Sequence, residues 1–534
     1  MDDSDVEVFT STTRTAFILS IGDFIYTATL AIGAIAIARL LGSEGYGVYS
    51  LSFVVPLTLY SFINLGLDAG ITRYTRLYLA EGSFSAAVEF ARVSLFLKIL
   101  IGFVGTVVCY VYAKPLSTLI LGRPELDRYV VLTSTAVFLE SLYTYLLSVF
   151  LGFEQAWRSS IVKIVYSISR TAIAVALLAA GFWVVGVVIA YIAGITLSIS
   201  TGFAYLVSTL KQYSFRGGGS SVRGLSVARE LLSYSLPLYA ASLVSLISSA
   251  YQSVLLAYTL SNAEIGGYRA LANLGILVSI VHSPIALSLL PMYTELSAGG
   301  GGKKLGAVLA RSNRYVALVV VPLTLLSMVY SREVVYVVYG VEYRFASEYL
   351  PLLFAPFLLS GLGSTVIPQL FNAAGRTKLN MYVSLAYAAV FIPASYILTA
   401  VAGYKLTGFL TSNLIASTTA TILYNVLLIR SFRERLYFRE VAPIYISSAL
   451  ALPIPILTLS IPLPKPVSLL RIAIGGTLYT LAYIITAAVL KAVSKQDIEF
   501  ITKALESIPI VNTIAKYIAA IAVRVINMIT RVHH

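Results

Sequence analysis

The sequence predicts an all-α polytopic membrane protein of about 14 transmembrane helices: two six-helix lobes related by a pseudo-two-fold axis along the membrane normal, plus two extra C-terminal helices. Three observations predict it. The 534 residues are 58% hydrophobic and only 12% charged, with a mean hydropathy of +0.86, so the bilayer is the solvent that explains the composition. Apolar runs of about twenty residues recur from end to end, with the charges gathered in short segments between them. Short motifs recur at an offset a little over two hundred residues, the mark of an internal duplication.

The opening "MDDSDVEVFT" is acidic and polar. It lacks the basic start and short apolar core of a cleavable signal peptide, so the first apolar run is expected to stay as a helix. The candidate spans are roughly 15–38, 48–72, 84–113, 129–153, 161–180, 184–210, 231–259, 271–293, 308–330, 349–371, 381–402, 406–430, 441–461 and 467–491. The longest polar linker, "KQYSFRGGGSSVRG" at 211–224, follows span six and carries three consecutive glycines. It reads as a flexible hinge. The expected organisation is therefore an N-lobe at 1–210, a cytoplasmic linker at 211–230, a C-lobe at 231–430, and spans thirteen and fourteen at 431–494. The proline-rich "PLPKP" at 462–466 makes a stiff turn between the last two. In the tail, 495–534, Asn512, Lys516, Arg524, Asn527 and Arg531 share one helical face opposite isoleucine, valine and alanine. That pattern suits a helix lying on the inner leaflet better than a fifteenth span.

With the N-terminus in the cytoplasm, 27 basic residues fall on the inside and 10 on the outside, and Lys98 lies within a span. The asymmetry places both termini in the cytoplasm of a multi-pass cell-membrane protein. The net charge of +14 is thus mostly a topology signal and gives no reason to invoke nucleic acid. The single cysteine, Cys109, sits in an apolar run. It leaves no intrachain disulfide and no thiolate cluster for a metal.

The duplication is read from three matches in order. "EGYGVYSL" at 44–51 faces "EIGGYRAL" at 264–271, with Gly47 on Gly266 and Tyr49 on Tyr268, an offset of 219. "RYTRL" at 73–77 faces "MYTEL" at 292–296 at the same offset, and "FLGFEQAWR" at 150–158 faces "FNAAGRTKL" at 371–379 at 221. Six spans per repeat preserve orientation, so the repeats are parallel. Such a pair encloses a central cavity and gives alternating access by rocking.

"ARLLGSEGYGVYSL", "LGLDAGITRY", "IGGYRAL", "SLLPMYTEL" and "FNAAGRTKL" together resemble the polysaccharide-transport flippases of O-antigen and teichoic-acid exporter type. These belong to the multidrug/oligosaccharidyl-lipid/polysaccharide exporter superfamily. The resemblance covers about residues 14 to 490. It implies a monomeric transporter that turns a lipid-linked oligosaccharide, carried on a polyprenyl phosphate or diphosphate, from the inner to the outer leaflet among membrane lipids.

Ionisable groups inside spans are costly, so each is a candidate site. A lipid phosphate needs cations along its path, and arginine suits it because its fork donates two charge-assisted hydrogen bonds. Arg269 leads, at the outer end of span eight, because its repeat counterpart is the neutral Ser50. The alternative is an interfacial arginine snorkelling to headgroups. Arg73 and Arg76 sit at the inner end of span two, where positive-inside topology would also put them. Asp23 and Arg170 share a depth in spans one and five, and Lys98 and Glu140 lie near the middle of adjacent spans three and four, within reach of one another if the faces agree. Each pair reads equally as a structural ion pair. The candidate substrate-binding set is Arg269, Arg73, Arg76, Arg170 and Asn273. The ion-coupling or gating set is Asp23, Asp68, Lys98 and Glu140. Asn64, Gln252, Asn372 and Asn413 are polar candidates for sugar hydroxyls or interhelical bonds, and His282 is a lone histidine in mid-span eight. No cofactor or metal is expected beyond a coupling proton or sodium ion.

An enzyme of the membrane glycosyltransferase type would need a carboxylate pair in an early outside loop; the first offers Glu44 alone and the second Glu125 and Asp127, far from any histidine cluster, and no nucleophile triad, zinc spacing or phosphate loop appears in the connecting segments. The rival readings are a multidrug or small-cation antiporter of the same superfamily and a passive lipid scramblase.

Overall fold

The computed structural model describes residues 3–215, 224–276, 278, 293–294, 302–436, 438–460 and 468–504, together with scattered positions of the tail up to 527. The described residues form helices and no strands, as lipid demands of a chain whose backbone polar groups must be satisfied within each segment. Serine and threonine inside the apolar helices return their hydroxyls to the preceding turn, as in Ser52 to the Val48 carbonyl at 2.7 Å and Ser94 to that of Phe90 at 2.7 Å.

Eleven described helices are long and apolar enough to cross a membrane, or twelve if the bent pair Ser226–Ala240 and Ser242–Thr259 is one span. The chain is thus polytopic and all-α as expected, while the count of fourteen is not established. One of the eleven, Ile21–Ile63, runs for 43 residues. At ~1.5 Å per residue that is about twice a hydrocarbon core of ~30 Å. It bends at Gly42 (φ 70°, ψ 175°). Most of the expected eighth span, with His282, lies outside the described residues.

The chain divides into two compact units, Met1–Gly266 and Gly267–His534. The first contains α1 (Asp3–Ser52), α2 (Val54–Ile63), α3 (Leu67–Ala80), α4 (Phe84–Val111), α5 (Ala113–Leu121), α6 (Asp127–Thr133), α7 (Thr135–Gly152), α8 (Ala156–Ala179), α9 (Trp183–Ser214) and α10 (Gly224–Thr259). The expected seventh span, α10, therefore clusters with the first unit, where it packs on α3 and α4. The division between units falls inside α11 (Asn262–Leu274).

Small residues set the close approaches, as expected where lipid removes the hydrophobic drive between helices. Gly22 and Gly33, three turns apart on α1, lie over Ser160 and Thr171, three turns apart on α8. Gly102 on α4 lies over Ser141 on α7, and Gly194 on α9 over the Arg170 backbone.

The second unit holds α12 (Gly302–Val329), α13 (Ser331–Tyr339), α14 (Leu350–Phe354), α15 (Val366–Ala373), α16 (Thr377–Ser395), α17 (Lys405–Phe432), α18 (Phe438–Ala451), α19 (Pro453–Ser460), α20 (Ser468–Val489) and α21 (Lys495–Ala504). The expected spans thirteen and fourteen, in α18 to α20, pack on α12 through a buried core that includes Ala317, Val321, Ile444, Tyr479 and Tyr483. Arg314 of α12 reaches α21, where Asp497 accepts its bond at 2.9 Å and also caps the helix by accepting from the Ser494 N–H at 2.7 Å. In the tail, Ala522 is buried with Ile484 and Ile498, so part of its apolar face is taken by the protein itself.

Candidate functional site

The first unit carries two polar clusters within its apolar bundle. One forms where span two breaks. α2 ends at Ile63 and α3 begins at Leu67, and between them Leu65 (φ 51°) and Gly66 (φ 69°) are both left-handed, a conformation that costs a leucine energy. Lys98 of α4 reaches across the break. Its ammonium lies 2.6 Å from Asp68 Oδ1 and donates to Asn64 Oδ1 at 2.5 Å and Thr144 Oγ1 at 3.3 Å. Asn64 Nδ2 in turn donates to Asp68 Oδ2 at 2.9 Å, and the Tyr60 hydroxyl meets Thr144 Oγ1 at 2.6 Å.

The expected pairing of Lys98 with Glu140 does not form. Ser141 donates to the Lys98 carbonyl at 2.7 Å, which fixes the face of α7 that meets α4. Glu140 lies about 100° round the helix from Ser141 and is bonded by the Tyr191 hydroxyl of α9. Asp68 arrives instead because the break carries the first turn of α3 to the lysine.

The second cluster lies among α1, α7, α8 and α9. The Gly22 contact with Ser160 places Asp23 beside Lys163, one turn further along α8, and the two pair at 2.6 Å. Arg170, which shares a depth with Asp23 in sequence, is held elsewhere: its guanidinium donates to the hydroxyls of Tyr49 at 2.5 Å and Tyr166 at 3.3 Å. It also lies 5.7 Å and 5.4 Å from the ring centroids of Tyr166 and Tyr191, a cation–π cage. It makes no direct ion pair among the described residues, although the buried Glu140, bonded by Tyr191, is near enough to interact with its charge.

The remaining candidates are dispersed. Arg73 stacks on the Tyr234 ring at 4.3 Å, while Arg76, three residues on, pairs at 3.1 Å with Glu154, both side chains largely exposed. Nearby, Tyr78 donates to Glu230 at 2.7 Å. Burial first, and then that carboxylate, raise its hydroxyl pKa. Arg269 and Asn273 belong to the second unit and lie one helical turn apart on α11, both half-buried. The Arg269 guanidinium is 5.9 Å from the Tyr268 ring. Asn372 and Asn413 make interhelical bonds, accepting from Asn380 at 2.7 Å and Tyr387 at 2.7 Å.

Sequence reasoning missed Lys163, Thr144 and the tyrosine cage. α8 begins at Ala156, earlier than the expected span five, so Lys163 lies two turns into the helix and not at its entrance. No spacing in the sequence announces the cage: by the expected span bounds Tyr49 lies at the outer end of span two and Tyr166 towards the inner end of span five, and only the packing of α1, α8 and α9 brings them together.

Comparison with known proteins gives the same architecture. The lipid II flippase MurJ in an inward closed conformation aligns with a TM-score of 0.70 at 15% identity, covering 89% of this chain and 99% of that one. An inward-facing multidrug resistance MATE family transporter of the MOP superfamily aligns at 0.63 and 15% identity, covering 78% and 99%. At such identities the likeness is one of fold. No curated protein sequence matches the chain. Residues 12–297 match the family described as "Polysaccharide biosynthesis protein". That match takes in more than half of the chain, including both polar clusters of the first unit, and the chain belongs to the polysaccharide biosynthesis protein family.

Proposed function

We propose that this protein is a flippase that moves a lipid-linked oligosaccharide, borne on a polyprenyl phosphate or diphosphate, from the inner to the outer leaflet by alternating access of two lobes. The observation that carries the reading is Arg170, a guanidinium set deep in an apolar bundle with its bonds given to the neutral hydroxyls of Tyr49 and Tyr166. A cation kept without a direct ion pair is suited to an anionic headgroup, and the tyrosines around it offer ring faces and hydroxyls to sugars. Arg269 and Asn273 on α11, and Arg73 and Arg76 at the expected cytoplasmic end, are the other residues assigned to substrate binding. Asp23, Asp68, Lys98 and Glu140 are assigned to ion coupling or gating with a proton or sodium ion.

The lobes in this reading are 1–210 and 231–430, joined by the linker, with both termini cytoplasmic, the chain a monomer and no catalytic step. Membership of the polysaccharide biosynthesis family supports the substrate class. The test is flipping of a fluorescent lipid-linked oligosaccharide in proteoliposomes, with Arg170→Gln, Arg269→Ala and Asp23→Asn compared under imposed proton and sodium gradients. Movement of the lipid that falls in the arginine variants is the expected result. A protein that exports dye cations and leaves the lipid in place is an antiporter and ends the proposal, and flipping indifferent to both gradients removes ion coupling.

A further inference from the structure

The Lys98 cluster has the make-up of an ion site. Three oxygens from the break and two helices, Asn64 Oδ1 of the break, Asp68 Oδ1 of α3 and Thr144 Oγ1 of α7, converge on one point at 2.5, 2.6 and 3.3 Å. A carboxylate, an amide carbonyl and a hydroxyl are the hard-oxygen donors that hold small cations, and a broken membrane helix exposing polar groups within a bundle is where transporters place such ions. Here the point is filled by the ammonium of Lys98, whose side chain is 1% exposed, while that of Asp68 is 30% exposed. The Tyr60 ring lies 5.9 Å from the ammonium, and Glu140, the other acid of this region, is engaged by Tyr191.

Two further features separate this arrangement from a generic structural ion pair. The break it spans is strained, with Leu65 left-handed, and α10 docks against it: Tyr239 donates to the Phe62 carbonyl at 2.8 Å, and a Cβ on Gly66 would lie 3.2 Å from the Ser235 carbonyl. Tyr239 lies beside the 58° bend between Ser226–Ala240 and Ser242–Thr259. The repeat does without the pair, since at the 219-residue offset Asp68 corresponds to Leu287 and Lys98 to Ala317. The duplicated scaffold therefore does not require these charges.

We infer that Asn64, Asp68 and Thr144 form a monovalent-cation site whose resident cation is the Lys98 ammonium, a tethered substitute for an exchangeable ion. Within the proposed function the inference narrows the role of Asp68 and Lys98 to gating, the lysine holding the break closed in place of a free sodium ion. The site itself is tested without substrate, so an error in the substrate class leaves the test intact.

The experiment measures thermal unfolding of the full chain in detergent, in chloride salts of sodium, potassium and methylammonium, against N-methylglucamine at equal ionic strength. Lys98→Ala vacates the site, and the small cations are expected to raise its Tm by about 2–4 °C over N-methylglucamine. Recovery of a folded variant in sodium buffer after its loss in N-methylglucamine counts as the same response. The double variant Lys98→Ala with Asp68→Asn is expected to show no such rise. Folded Lys98→Ala that ignores all three cations overturns the inference. So does a sodium response in the unmutated protein that Asp68→Asn abolishes, because an exchangeable ion would then already sit beside the lysine.

Discussion

Gly47 of α1 lies against the backbone carbonyl of Asn262, and Gly266 of α11 lies in the same way against that of Ser43. At the 219-residue offset Ser43 corresponds to Asn262 and Gly47 to Gly266, so one contact is made twice with the roles exchanged. A Cβ at either glycine would collide with backbone, which cannot swing aside as a side chain can. Gly47→Val and Gly266→Val are each expected to destabilise the protein by about 1–3 kcal/mol through overpacking, read as a lowered Tm of the purified protein. An unchanged Tm in both would show that the corners are not held together in the folded protein. Beside them Arg123 donates to the Ala257 carbonyl at 3.1 Å, to the Asn262 side chain at 2.7 Å and to the Leu260 carbonyl. Arg123→Met should loosen the same corner without adding bulk.

The Asp23–Lys163 pair is partly solvated, with Asp23 at 52% and Lys163 at 19% exposure. Screening holds the worth of such a pair to about 1 kcal/mol or less. Asp23→Asn is therefore expected to leave the unfolding temperature nearly unchanged. A large transport defect in a variant of unaltered stability would assign the carboxylate to the cycle, and a matching loss of stability would make it structural.

Arg170 gives a graded series. Arg170→Gln removes the charge and is expected to slow lipid flipping about 10- to 100-fold, the scale of one charge-assisted hydrogen bond at ~1.5–3 kcal/mol. Arg170→Lys should recover only part of the rate, because a single ammonium lacks the planar fork that spans Tyr49 and Tyr166. Tyr49→Phe, which keeps the ring, should lie closest to the unmutated protein. Equal rates across the series would take Arg170 out of the substrate path.

Arg314 and Asp497 tie α12 to α21. Asp497 is 5% exposed, so Arg314→Ala leaves a buried carboxylate with only its capping bond and is expected to cost about 2–4 kcal/mol. Limited proteolysis should then cut near α21 before the rest of the chain. Arg314→Met combined with Asp497→Ser, which removes both charges and keeps a capping hydroxyl, should regain most of the loss. Failure to regain it would mean that the arginine's bond to the Ala492 carbonyl, at 3.2 Å, carries the contact.

The membrane class, the helical architecture and the duplicated corner were legible in the sequence because each depends on properties that survive without tertiary contacts. Lipid solvent selects apolar composition and a twenty-residue run length, and a repeat preserves its glycines wherever backbone meets backbone. "RLLGSEGYGVYS" already carried Gly47, and "EIGGYRAL" carried Gly266 at the matching offset. The charged residues within spans were equally visible, since any ionisable group in an apolar run stands out.

Their partners were not visible, and only tertiary structure decided them. Depth along a span can be counted from sequence, but the face a residue presents depends on where neighbouring helices touch. Gly22 on Ser160 turned Asp23 to Lys163, Gly194 on Arg170 brought Tyr191 over the guanidinium, and Ser141 against α4 turned Glu140 away to α9. The break at Leu65 mattered most, because it adds to a regular helix a change of direction that no periodicity records, and that change delivered Asp68 to Lys98.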